Sequence, residues 1–270
     1  MKKNFLPLIF LMIMSSLAFS QRVYEFPRMR LGIEAGLENS FGANEKPSNI
    51  RESQPYFRYD YEDFYYDCGF MVNQLVFTKY YFGFKPEYSL NLKFAVSSGI
   101  RFSFAKSELT ADRSYYLWKI EESHNNTNYL RIKSMSQNVY NISIPAEIKF
   151  FPHKSDIFGR VYTKLATVIN FTFANDVSVV FSNIKMEKYL PEIKKEFKNP
   201  SLFYGQIIPA VGVKIGRMKY PFGCLELQIP IHFSEKTRLS SLFKLESVIG
   251  VGVKTTLYIP YGNDKLSYNY

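Results

Sequence analysis

The sequence has few of the residues and runs from which most metal sites and membrane anchors are built. It contains two cysteines, Cys68 and Cys224, and three scattered histidines, so no cysteine–histidine spacing of the kind that holds zinc is present. After Gln21 no apolar run approaches the roughly 20 residues that a transmembrane helix needs. These shortages argue against a zinc site and a helical membrane domain, and the sequence predicts no metal, cofactor or catalytic residue.

The surplus of positive charge does not form a nucleic-acid surface. The net charge is +10, and it falls to +8 without Lys2 and Lys3. The basic residues are dispersed and interleaved with acids, which is typical of a solvated, lipopolysaccharide-facing or lumen-facing distribution. Nucleic acid is therefore not predicted as a partner.

The first 20 residues have the pattern of a signal peptide. Two lysines precede an apolar stretch from Phe5 to Leu17, and a small-x-small cleavage motif stands directly before Gln21. The alternative, an N-terminal membrane helix, is disfavoured because the run is short and Pro7 interrupts it. The division is therefore residues 1–20 as signal peptide and 21–270 as one domain.

Alternation of apolar and polar residues is the dominant pattern in that domain. From Phe243 to Ile259 the odd positions are mostly apolar, and the even positions include Lys244, Glu246 and Lys254. A period of two predicts a strand with two different faces. The stretch exceeds the 9–11 residues of a membrane-crossing strand, and charge on one face is typical of a transmembrane β-barrel that is apolar outside and polar inside.

Seven earlier stretches repeat this pattern, which predicts an all-β, eight-stranded antiparallel up-and-down transmembrane β-barrel. Short turns and long outer loops alternate between the strands, and Pro145 within one strand predicts a bulge. The predicted strands are Met29–Glu38, Phe77–Tyr88, Lys93–Ser107, Met135–Phe151, Ile157–Ala174, Ser201–Met218, Cys224–Ser234 and Phe243–Ile259.

The outer loops leave two interpretations open. The first loop, Asn39–Val76, is dense in aromatics and acids, and its candidate recognition residues are Tyr56, Tyr59, Tyr61, Phe64 and Tyr65. The same stretch could instead extend the barrel wall as a further hairpin, giving ten strands. In the third loop, Tyr189, Leu190, Ile193 and Phe197 have the spacing of a short amphipathic helix.

The inward positions carry charge of both signs. Because eight strands leave a lumen just wide enough for side chains, we expect an ion-pair network that fills it, although a narrow passage or ligand cavity remains an alternative. The predicted lumen network comprises Glu34, Glu87, Arg101, Glu147, Lys149, Lys164, Lys214, Glu226, Glu246 and Lys254.

Two other classes of protein fit less well. A rim-active membrane enzyme would need a partnered catalytic group, but His124 in an outer loop and His232 near a strand end have no recognisable partner motif. A soluble lipocalin-like carrier would place apolar residues inside its barrel, and this chain does the reverse. We therefore predict a non-enzymatic protein.

Several stretches resemble the outer-membrane β-barrel domain of the PorT-like family of Bacteroidota. These are the signal-peptide end Phe-Ser-Gln, LGIEAGLENS at 31–40, ISIPAEIKFF at 142–151 and IGVGVKTTLY at 249–258. The resemblance covers essentially the whole mature chain. It implies an eight-stranded outer-membrane barrel with short periplasmic turns and long outer loops, and no catalytic residue. Its best-known member is associated with type IX secretion.

The combined interpretation is an integral protein of the Gram-negative outer membrane. Its partners are expected to be outer-membrane lipid and, in the alternative role of an accessory subunit of a secretion or transport complex, other envelope proteins. The barrel is expected to be monomeric. Cys68 and Cys224 should be free thiols, because the strand map places them near opposite ends of the barrel.

Overall fold

The structure is a computed structural model that describes residues 23–52, 76–111, 115–121, 127–152, 159–216, 221–261 and 265–269. Its main sheet contains eight long strands, two of which are interrupted once. We number them β1 Met29–Asn44, β2 Val76–Ser89, β3 Phe94–Ser98 with Ile100–Thr110, β4 Thr127–Phe150, β5 Gly159–Phe181, β6 Phe203–Gly216, β7 Pro221–Gln228 with Ile231–His232, and β8 Phe243–Pro260.

The eight strands close into a ring. Each pairs antiparallel with the next along the chain, from β1 with β2 to β7 with β8. The ring closes because β8 also pairs antiparallel with β1, with Val253 opposite Leu37 and Thr255 opposite Ala35. The predicted eight-stranded up-and-down barrel is therefore confirmed.

The alternation of the sequence becomes the difference between the two surfaces of the wall. On β2, exposed and buried residues alternate strictly from Lys79 to Ser89, with Tyr80, Phe82 and Phe84 each more than half exposed on the outside. The same alternation runs along β3 and the lower parts of β4 and β5. The barrel is thus apolar outside and polar inside, the reverse of a soluble barrel.

The two ends of the barrel differ. One end, which we call the short-turn end, has brief connections after β2, β4 and β6, and near it Val23–Pro27 pairs with Lys265–Asn269 as a two-stranded ribbon. The other, the long-loop end, carries the four longer connections. Of the first long loop the structure describes the strand Ile50–Glu52.

Above the ring, at the long-loop end, the wall continues as a packed structure built from several loops; the hairpin predicted within residues 56–70 lies outside the described residues. The strand Tyr116–Glu121 pairs with the start of β4, and Ile50–Glu52 pairs with Tyr116–Glu121. We call these segments, with the third long loop, the upper extension. A separate hydrophobic core holds them together; it includes Ile50, Trp118, Leu130, Ile132, Ile193, Phe197 and Leu242.

The third long loop contains the helix that its spacing predicted. A 3₁₀ turn, Ile184–Tyr189, leads into helix α1, Leu190–Lys194, which has a proline in its first turn. Ile193 is fully buried and Phe197 is 8% exposed, so the apolar side of this segment packs onto the upper core.

The face assignment of β8 is wrong above Gly250. Between Leu245 and Gly250 the strand takes five residue steps while β1 takes two, from Gly42 to Ser40. The three additional residues form an irregularity, and an odd number exchanges the inward and outward faces. Phe243 and Leu245 are consequently buried inside, whereas Glu246 is exposed.

The bulge expected at Pro145 is also not observed. Pro145 faces inward and pairs with Val168 of β5, and the register of β4 with β5 shifts elsewhere, at 132/134 and 140/141. Proline has no backbone N–H, so Pro145 cannot donate a hydrogen bond to the neighbouring strand β3. The ladder is accordingly interrupted on the β3 side, at Gly99. There the Ser98 hydroxyl donates to the Pro145 carbonyl oxygen at 2.8 Å.

Candidate functional site

The lumen of the barrel is a layered network of buried ionisable side chains. None of the members is more than 6% exposed, and most are within 2% of complete burial. The basic members are Arg30, Lys79, Lys85, Arg101, Lys149, Lys164, Lys214 and Lys254, and the acidic members are Glu34, Glu38, Glu87, Glu147 and Glu226. They all face the same interior because side chains alternate between the two faces of each strand.

Glu147 of β4 is the centre of the network. Its carboxylate accepts from Arg101 at 2.6 Å, from Lys85 at 2.7 Å and from Lys254 at 3.1 Å. Lys164 lies 3.6 Å away and completes a shell of four cations from four different strands. One carboxylate therefore joins β3, β2, β8 and β5 across the lumen.

Two further glutamates share the same cations. Glu34 of β1 accepts from the Arg101 guanidinium and lies 3.2 Å from Lys85 and 3.3 Å from Lys254. Glu226 of β7 pairs with Lys164 and lies 2.9 Å from Lys254. Lys254 is thus within ion-pair distance of all three central carboxylates, which provides the pairing that a buried charge requires.

A second cluster surrounds Glu87 toward the short-turn end. Lys214 donates to this carboxylate at 2.5 Å and Lys149 at 2.7 Å, and Arg30 lies 3.5 Å away. The Tyr258 hydroxyl donates to the same carboxylate at 2.9 Å. Three cations therefore surround one acid, which makes this end of the lumen the more positive.

A third and smaller layer lies toward the long-loop end. Lys79 forms an ion pair of 2.7 Å with Glu38 and donates to the Gln206 side chain at 3.3 Å. His232 Nε2 lies 3.0 Å from the Ser40 hydroxyl. Among the described residues His232 Nδ1 has no hydrogen-bond partner, so this serine–histidine pair lacks the third group that orients a catalytic base.

Aromatic rings fill the space between the charged layers. The Tyr81 hydroxyl donates to Gln228 at 3.0 Å, and the Tyr162 hydroxyl donates to Glu226 at 2.7 Å. Glycine is needed opposite Tyr81, because a Cβ at Gly36 would lie 2.5 Å from its hydroxyl oxygen. Side chains therefore occupy the part of the lumen that surrounds Tyr81, Tyr162 and Gln228.

Nine of the ten lumen residues predicted from sequence lie inside the barrel, and Glu246 does not, because the β8 irregularity turns it outward. The alternation of the sequence also assigns Glu38, Lys79 and Lys85 to inward faces, and the structure places all three in the network. Arg30 is the member that the prediction missed, although it continues the alternation that contains Glu34.

Other predicted positions lie outside the described residues. These are the signal peptide, Cys68, His124 and the five recognition candidates of the first loop, Tyr56, Tyr59, Tyr61, Phe64 and Tyr65. Cys224 is described, and its thiol is free and buried at the short-turn end.

No helix in the described part of the chain is long and apolar enough to cross a membrane. Within the same residues no group of three or more histidine, cysteine, aspartate or glutamate side chains is arranged to hold a metal ion.

Comparison with known proteins adds no family. No protein-family model and no curated protein matches the sequence. Among solved structures, the outer membrane protein OprG from Pseudomonas aeruginosa aligns with 91% of this chain and 97% of its own, at 9% identity and a TM-score of 0.34.

Two other solved structures align over similar lengths. Ail, the attachment invasion locus protein of Yersinia pestis, covers 86% of this chain and 99% of its own at 11% identity and a TM-score of 0.29. The COG4313 outer membrane channel from Pseudomonas putida F1 covers 89% and 98% at 7% identity and a TM-score of 0.24.

Proposed function

We propose that the protein is an integral β-barrel of the Gram-negative outer membrane that serves as a closed platform for its long-loop end. The observation that carries this proposal is the inverted polarity of the wall: an exposed apolar exterior surrounds an interior of thirteen buried charged side chains. In water this wall would expose its apolar side, whereas a bilayer covers that side with lipid while the charges stay inside, away from lipid and paired with one another.

The dimensions of the apolar exterior fit a bilayer. Tyr140, packed between Phe104 and Phe173 at centroid distances of 5.4 and 6.3 Å, lies near the upper limit. Phe150, 5.1 Å from Phe94, lies near the lower limit. Ten residues of strand at about 3.4 Å each, tilted by about 40°, give a height of about 26 Å, close to the apolar band of outer-membrane barrels.

The lumen network supports a closed barrel. Lys85, Glu87, Glu226 and Lys254 are fully buried, so bulk solvent does not reach them. An open pore would leave such side chains solvated, whereas here each is paired across the lumen. The network therefore supports the interpretation of a structural plug, and under this proposal the specific activity belongs to the long loops and the upper extension.

The membership in the PorT-like family remains a proposal that rests on the quoted sequence stretches. A second candidate function is an accessory subunit of a secretion or transport complex, in contact with other envelope proteins. The observation that favours it is the packed upper extension, because a surface with its own hydrophobic core is ordered enough to dock a partner. Within the described residues an enzymatic role has no comparable support, since Ser40 and His232 are both buried.

Membrane insertion is tested by electrophoresis of the purified protein in detergent, with and without boiling. A closed barrel has no free sheet edge and resists unfolding, so the unboiled protein should migrate differently. Identical migration, together with release from membranes by salt alone, would overturn the proposal. A pulldown from native membranes tests the second candidate: a stable stoichiometric partner supports it, and recovery of the barrel alone contradicts it.

A further inference from the structure

The upper extension contains a cleft that the lumen network does not use. It has a volume of about 460 Å³ and lies between the first long loop, the strand Tyr116–Glu121, the start of β4 and helix α1. Its size is within the usual range of small-ligand sites, about 300–1,000 Å³. These four elements, of which the strand Tyr116–Glu121 and the start of β4 pair with each other, together form one concave surface.

Contacts between the residues that line the cleft fix its shape. The Asn49 side-chain amide donates to Glu196 at 2.6 Å, which ties the first loop to the segment after α1. Trp118 lies at the base, 8% exposed, with its ring 6.5 Å from Tyr189 and its side chain in the upper core. A ligand would consequently meet a largely preformed surface, which lowers the entropic cost of binding.

The polar groups around the cleft carry charges of both signs, and three of the four charged groups are uncommitted. Arg51 and Lys119 supply donors, and Glu192 and Glu196 supply acceptors, so the formal charges cancel. Within the described residues Arg51, Lys119 and Glu192 make no side-chain hydrogen bond, ion pair or ring contact. The site can thus donate and accept hydrogen bonds without favouring an anion or a cation.

One aromatic face completes the site. Tyr129 stands directly opposite Lys119 across the hairpin and is 45% exposed. A ring presented to solvent beside uncommitted donors and acceptors suits a ligand with an apolar C–H face and hydroxyl groups at its edge. Saccharides have this combination, and their hydroxyls both donate and accept.

We propose that this cleft binds a neutral oligosaccharide. Glu192 accepts from sugar hydroxyls, Arg51 and Lys119 donate to them, and Tyr129 packs against a pyranose ring. The inference goes beyond the proposed closed barrel and does not depend on membrane insertion, because binding is measured on the folded protein in detergent.

The test uses Trp118, the single tryptophan of the chain, as an internal reporter of the cleft. The full-length protein, folded in the sugar-free detergent lauryldimethylamine oxide, is titrated with maltohexaose, cellohexaose, mannohexaose and xylohexaose. Fluorescence and calorimetry are recorded together. At least one of these neutral sugars should bind at about 1 mM or below.

Two variants probe the assigned contacts. Glu192→Gln and Tyr129→Ala should each weaken binding about tenfold, the effect of losing one charged hydrogen bond or one packed ring. Tyr129→Phe keeps the ring and should retain most of the affinity. Glu187→Gln, an exposed first-turn acid outside the cleft, is the matched control and should stay within about twofold.

Heat-modifiable migration verifies that each variant is folded before titration. The proposal is overturned if none of the four sugars binds, or if Glu192→Gln weakens binding no more than Glu187→Gln. Preference for a charged saccharide, with heparin hexasaccharide and chitosan hexamer as probes, would also contradict it, because the cleft would then not recognise a neutral ligand.

Discussion

Replacement of Glu147 by glutamine is the most informative perturbation of the lumen. The change keeps the size of the side chain but removes the charge that faces four cations. Three of these, Arg101, Lys85 and Lys254, lie within 3.1 Å of its oxygens. The lumen would then hold eight basic and four acidic side chains instead of eight and five.

The magnitude follows from what remains around the site. A hydrogen bond to a charged group contributes about 1.5–3 kcal/mol, but the contacts share one carboxylate and do not add, and glutamine still offers one acceptor oxygen. Loss of one partner from a buried ion pair costs about 3–5 kcal/mol, because the other charge stays buried. We expect Glu147→Gln to lower the free energy of unfolding by that amount.

The assay is reversible denaturant unfolding of the barrel in lipid vesicles, followed by the heat-modifiable band. Glu246→Gln is the matched control, since Glu246 is exposed above the β8 irregularity, and it should change stability by less than about 0.5 kcal/mol. Lys254→Met in the Glu147→Gln background should recover part of the loss, because it removes one of the eight buried cations that then share only four acids. Equal costs for Glu147→Gln and Glu246→Gln would refute the network as described.

Three further predictions concern the wall and the thiols. Leu227→Lys should destabilise the barrel in vesicles by about 2–4 kcal/mol, because this exposed residue lies near mid-height of the apolar exterior, while Ser234→Lys at the loop end should have little effect. Mass spectrometry of the unreduced protein should find no peptide joining Cys68 and Cys224; a joined peptide would contradict the strand map. Gly36→Val should cost about 1–3 kcal/mol in the unfolding assay, because its Cβ would lie 2.7 Å from a carbonyl oxygen of the facing strand; an unchanged midpoint would show that the wall can yield.

Much of the barrel could be predicted because the face on which a residue lies is encoded in the residues next to it in the sequence. A period-two pattern assigns each residue to a face without knowledge of the partner strand, which is why Glu34, Glu87 and Glu226 were assigned to the lumen from sequence. Glu246 shows the limit. The irregularity before Gly250 has no sequence signature of its own, and one odd insertion exchanges the faces of everything beyond it.

The features that sequence did not reveal depend on contacts between distant segments. Ile50 and Trp118 belong to different loops, and their pairing in the upper extension follows from the three-dimensional path of β4 rather than from either loop alone. The same holds for the partners of Glu147: the stagger of eight strands decides which cations reach it. The cleft between Asn49, Tyr129 and Glu192 was invisible for this reason.

We expect the protein to cross a membrane as a barrel closed by its own charged side chains. This expectation is tested most directly with lipid vesicles that contain the folded protein and a self-quenching concentration of carboxyfluorescein. The heat-modifiable band measures folding in the same vesicles from which dye release is recorded. We expect complete folding, with dye release no faster than from protein-free vesicles. Rapid release through the folded protein, or failure of the chain to enter vesicles at all, would contradict it.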